Sequence, residues 1–160
     1  MPDCPGAKLI HYLSVHDLVW INSTITGQTL AFNFETLEQA MAAQYGYGNS
    51  RDVPAQASNF LNTLITRNPF AHGNLRTAYV SVIAFLTANG HPCQVDDAKS
   101  PDIIHAVAAG TMSAAGAVAA LSSASGGEGG AGASLRSLVT QICNEHSDAL
   151  KELSAGDGGV

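Results

Sequence analysis

Charged residues are scarce in this sequence. Asp, Glu, Lys and Arg together make up 12% of its 160 residues, about half the usual quarter of a globular domain. The seven Lys and Arg are outnumbered by 13 Asp and Glu, giving a net charge of -6. They are spread thinly, so no basic stripe exists to grip a phosphate backbone, and a nucleic-acid partner is not expected. Cysteine is equally sparse: Cys4, Cys93 and Cys143 stand at unrelated spacings. No CxxC pair or His/Cys cluster forms among them, which argues against a disulfide scaffold and a structural metal. No run approaches the ~18 uninterrupted apolar residues of a membrane span. Lys8 is followed by no apolar export segment, so a cytoplasmic protein without a membrane partner is the expectation.

Hydrophobic residues, in contrast, reach 46%, and glycine and alanine are abundant. That composition supports a real core and close helix contacts at small residues. The periodicity is helical almost throughout, so the expected fold class is all-α: a compact bundle around one central helix. Ser14 with Asp17 resembles a capping box, and Val15, Leu18, Val19, Ile21 and Ile25 predict a helix over 15–24 that Gly27 ends. Residues 27–33 alternate and read as extended or loop. Asn33 caps a second helix that Gly46 and Gly48 stop, and Asp52 with Pro54 opens a third that the Asn68-Pro69 step breaks. The segment 74–88 is apolar around most of its circumference and predicts the buried central helix.

Asn89-Gly90 ends that helix, and 91–97, with Pro92 and Val95, reads as a short extended piece. Ser100-Pro101-Asp102 starts a helix that runs to Gly110, and Ser113 caps another over 114–122. Residues 1–122 thus form one domain. A Gly/Ser-rich linker follows over 123–133. The tail 134–160 then holds one helix over 134–153, with Leu135, Leu138, Val139, Ile142, Leu150 and Leu153 at helical spacing, and a disordered end. That apolar face is expected to dock on the domain or on a second copy, which would make a homo-oligomer through the C-terminal helix.

The chemistry is concentrated in Asn68-Pro69-Phe70-Ala71-His72-Gly73-Asn74-Leu75-Arg76-Thr77-Ala78. Gly73-Asn74 sits at the mouth of the central helix, where unpaired N–H groups and the helix dipole favour an anion. Arg76 in the first turn is unfavourable for the helix itself and suggests an anionic partner. The plainer alternative is that Gly73-Asn74 caps the helix and Arg76 pairs with a nearby acid.

The same segment resembles the Fic/Doc signature His-x-Phe-x-Asp/Glu-Gly/Ala-Asn-Gly/Lys-Arg. Phe70, Gly73, Asn74 and Arg76 match it, whereas Asn68 stands for the catalytic His and His72 for the metal-binding acid. Further matches lie at Tyr12-Leu13-Ser14-Val15, at Phe85-Leu86-Thr87-Ala88-Asn89-Gly90 and at Ala108-Ala109-Gly110-Thr111-Met112-Ser113. They resemble the death-on-curing branch, which includes toxins of toxin–antitoxin pairs, and span about residues 12–122. The resemblance implies a nucleotide such as ATP on the loop, with Gly73, Asn74 and Arg76 at its phosphates and Phe70 as loop anchor. It also implies a target protein or an antitoxin-like partner, and a β-hairpin flap that falls at 27–33.

The two departures remove the family's reactive groups. An amide at Asn68 is not a usable base, and His72 is a poor magnesium ligand, so magnesium binding is in doubt and no metal site is assigned. Three readings result: a non-catalytic nucleotide- or partner-binding relative, a nucleotidyl- or phosphotransferase using His72 as base, and a structural or interaction module. The inhibitory-helix motif found in some of the family is not matched, because Gln141 precedes Glu145 and Tyr79 replaces the second arginine.

Overall fold

The computed structural model describes residues 11–28, 31–45, 52–91, 100–121 and 135–155. The expectations for 1–10, for the Gly46 and Gly48 stop, for the extended piece at 92–97 and for the 123–133 linker lie outside the described residues. Within them the chain folds into α1 (Val15–Thr26), α2 (Phe34–Ala43), α3 (Val53–Arg67), α4 (Asn74–Ala88), α5 (Ser100–Ala109), α6 (Ala114–Leu121), α7 (Leu135–Glu145) and α8 (Ser147–Ala155). The all-α expectation holds, and no described helix is long and apolar enough to cross a membrane.

The helix starts follow from short polar side chains that accept the first free N–H groups. Ser14 Oγ accepts from the Asp17 N–H at 3.1 Å, and Asp17 Oδ2 accepts from the Ser14 N–H at 2.8 Å. Asn33 receives the Thr36 N–H, and Asp52 receives the Ala55 N–H. Two of the stops are left-handed residues: Gly27 closes α1, and Asn68 closes α3 at φ 46°. Asn is among the few residues that visit this region readily.

Helices α3 and α4 form the spine. On one side α3 carries α2, α5 and α6, and on the other α4 carries α1, α7 and α8. Every residue from Thr77 to Leu86 is buried, so α4 is enclosed around its circumference as its sequence implies. Phe60 and Phe85 meet edge-on at 6.0 Å and join the two spine helices.

Ahead of α1, residues 11–13 are tied down at alternate positions by two side-chain carboxamides. Asn89 accepts from the His11 N–H and donates to the His11 carbonyl; Gln44 does the same for Leu13. The segment expected as a flap behaves differently from a free hairpin. Ala71 N–H donates to the Ala31 carbonyl at 3.1 Å and Asn33 N–H to the Pro69 carbonyl at 2.8 Å, flanking one antiparallel bridge from Phe32 to Phe70. Residues 31–33 are therefore paired with the motif loop, and no strand forms among the described residues.

The tail corrects one expectation. It is two helices, broken by a turn at His146, where one helix over 134–153 was expected. The break is where α4 takes hold: the Tyr79 hydroxyl and His146 Nδ1 are hydrogen-bonded at 2.8 Å, with the rings edge-on. Beyond it, α8 reaches both α4 and α5. On the other side of the break, the Arg136 guanidinium lies 4.7 Å over the Trp20 ring, which fastens α7 to α1. Val139, Ile142, Ala149 and Leu153 are buried within the chain, so the tail's apolar face is covered by its own body.

Replacing Tyr79 with Phe keeps the ring and removes only the hydroxyl held by His146. The expected loss is about 1 kcal/mol of stability, read as a lower urea midpoint at unchanged slope. An unchanged midpoint would mean that this bond does not hold the tail.

Candidate functional site

The loop between α3 and α4 is held from several sides, and its motif residues do most of the holding. Asn74 is buried; its Oδ1 accepts from the Phe70 N–H at 2.9 Å and its Nδ2 donates to the Phe70 carbonyl at 2.7 Å. A side-chain amide thus satisfies both backbone groups of one residue, as a neighbouring strand would. The clamped Phe70 is only 3% exposed, and its ring centroid lies 6.2 Å from that of Phe32. From α1, the buried Asn22 donates to the His72 carbonyl at 2.9 Å and to Thr77 Oγ1 at 3.0 Å.

Gly73 is the N-cap of α4 at φ 77°, and no side chain caps the helix there. A Cβ at this position would lie 2.8 Å from Thr26 Cγ2 and 3.1 Å from Asn22 Nδ2. Both the left-handed backbone and the closeness of α1 therefore require glycine. The helix begins at once, with the Thr77 N–H donating to the Gly73 carbonyl at 2.8 Å.

The side chains at the two substituted motif positions face outward. Asn68 is exposed at the end of α3, and the His72 ring is exposed while its carbonyl is engaged by Asn22. The segment 68–77 contains no Asp or Glu, and no group of three or more metal-ligating side chains forms among the described residues. The donor set does not fit magnesium, which takes carboxylate, carbonyl and water oxygens.

Arg76 is the motif residue that lines a groove. It is half-buried, and its Nη2 lies 3.7 Å from the point where a Gly73 Cβ would sit. The guanidinium is therefore carried back to the amino end of α4, alongside a groove of about 280 Å³. Lys151 lines the same groove, with Thr24, Ser147 and Ser154, and the Ser154 hydroxyl donates to the Lys151 carbonyl at 2.7 Å. Only four Lys or Arg, Arg67, Arg76, Arg136 and Lys151, fall among the described residues, so half of them meet here. Among the described residues, no carboxylate lines the groove. Cys143 adds a thiol whose pKa is raised by burial, which keeps it neutral at ordinary pH.

Sequence reading placed Gly73, Asn74, Phe70 and Arg76 together, and the structure brings all four to one joint. It missed Asn22, Thr24, Ser147, Lys151 and Ser154. A signal existed for the α8 residues, since positions 147, 151 and 154 share one helical face. Scans against protein-family models, curated proteins and solved structures find no match to this chain.

Three substitutions separate the joint from its surroundings. Asn74→Ala strands the Phe70 N–H and carbonyl and is expected to cost about 2–4 kcal/mol. Gly73→Ala combines a left-handed residue with overpacking, for a similar loss of about 2–4 kcal/mol. Asn68→Gly keeps the backbone angle at an exposed site and should stay within about 0.5 kcal/mol of the parent. Chemical unfolding of the three variants checks the order.

Proposed function

We propose that this protein binds a phosphate-bearing ligand, a nucleotide or related anion, at the amino end of α4, and that it does so without the transfer chemistry of the Fic/Doc proteins its motif resembles. A cytoplasmic, toxin-like relative that acts by occupancy of this site or by engaging a protein partner is the corresponding biological reading. One observation carries it: the Arg76 guanidinium is held at the positive pole of α4, beside an open groove. A cation in that place costs the helix about 0.3–1 kcal/mol. An anion reverses the sign of both terms, because it is attracted by the guanidinium and by the helix end together.

The missing chemistry follows from residue type. Asn68 offers an amide where a proton acceptor is needed, and that contribution is worth about 10²–10⁴-fold in rate. His72 supplies a nitrogen in place of the acid that would hold magnesium. Binding therefore rests on Arg76 and the helix end, with no step that consumes the ligand.

Calorimetric titration with ATP, with and without magnesium, tests this directly. The parent protein is expected to bind, Arg76→Ala to bind about tenfold or more weakly, and magnesium to add little. No binding at millimolar ATP, or binding unchanged by Arg76→Ala, would overturn the proposal.

A further inference from the structure

We infer that α7 and α8 form one strap that opens from α4 as a unit while α1–α6 stays folded. The seam between tail and body carries this, whatever the groove binds. Arg76 lines the body side of that seam, so each opening changes access to the amino end of α4.

The seam is uneven. The Tyr79 hydroxyl on His146 Nδ1 and the Arg136 guanidinium over Trp20 fasten it. Elsewhere it gapes, because the groove of about 280 Å³ runs along it. The described lining comes from α1 and α4 on one side, with Ile25 and Arg76, and from α7 and α8 on the other, with Cys143 and Leu150. Ile25, Cys143 and Leu150 are half-buried there, so their apolar atoms face space across the gap and forfeit dispersion contacts. Low contact density of this kind marks the parts of a fold that open first.

The two tail helices move together because helical hydrogen bonds cross the turn between them. His146 N–H donates to the Ile142 carbonyl at 2.9 Å, and Leu150 N–H to the His146 carbonyl at 3.0 Å. The body keeps its own ties when the tail lifts. Phe60 on Phe85, Asn74 on Phe70, Asn22 on the His72 carbonyl, and the carboxamides of Gln44 and Asn89 all join residues within 11–91. Helix α3 still carries α2, α5 and α6, and α4 still carries α1. The tail comes after all of these, since α6 ends at Leu121 and α7 begins at Leu135, and no described helix follows it. Tyr79, fully buried beneath it, gives the uncovered face a hydroxyl that water satisfies.

Amide hydrogen exchange on the full chain, in a urea series below the unfolding transition, tests this. An opening that bares only part of the surface shows a smaller urea slope than global unfolding. The amides of α7 and α8 are expected to share one small slope, and those of α3 to follow the global one. Tyr79→Phe should speed exchange in α7 and α8 by the same factor, about fivefold. Phe60→Leu weakens the spine in the closed and open forms alike. It should speed α3 exchange about tenfold or more and leave α7 and α8 unchanged.

A tail slope equal to that of α3 would overturn the strap, because the tail would then open only with the whole fold. Acceleration of α7 and α8 by Phe60→Leu would overturn it for the same reason. Different slopes in α7 and α8, or different Tyr79→Phe factors, would overturn the single unit. The slopes of the parent protein decide the matter even if Phe60→Leu does not fold. No ligand enters the experiment, so the strap and the proposed function fail separately.

Discussion

The structure depends on one residue's side chain replacing a piece of backbone. Asn74 gives its carboxamide to both polar groups of Phe70, and so fixes where the central helix begins relative to the loop that precedes it. The same device recurs at Asn89 on His11 and at Gln44 on Leu13. A carboxamide sets an N–H donor beside a C=O acceptor much as a peptide group does, with a second N–H to spare. In a chain with few charges and no strand among its described residues, these amides satisfy backbone groups that a sheet would otherwise pair. Where the pairing is buried, as at Phe70 and Leu13, removing the amide leaves two backbone groups without partners rather than one.

That constraint divides the motif by role. Phe70, Gly73 and Asn74 hold the joint: one packs, one admits α1 at close range, and one clamps. Arg76 is left as the motif residue that lines the groove. The positions of the two substituted residues agree with this division, since Asn68 and His72 lie at the solvent side and contribute their backbone to the loop. The resemblance to a catalytic signature falls here on a glycine and an asparagine that this loop shape needs. It does not by itself mark chemistry.

Much of this was legible in the sequence, for local reasons. Ser14, Asn33 and Asp52 announced three helix starts because caps act within three residues of themselves. The apolar circumference of 78–86 announced the buried helix for the same reason. What stayed hidden was set by distant partners. The turn at His146 comes with a bond to Tyr79, 67 residues away, and no periodicity in the tail encodes it. The second half of the groove shared this fate: Ser147, Lys151 and Ser154 occupy one helical face, yet only the docking of α8 on α4 and α5 aims that face at Arg76. The role of Asn74 was hidden differently, since its identity matched a phosphate loop while its amide is spent on Phe70.

The central proposal is that Arg76, at the amino end of α4 and beside α8, marks an anion site. An amide NMR titration with inorganic phosphate reads it most directly. The account expects saturable shifts at Leu75–Thr77 and at Ser147–Lys151, with Asn68 and His72 little changed. Shifts centred on 68–72 with α8 silent, or none at all at millimolar phosphate, would contradict it.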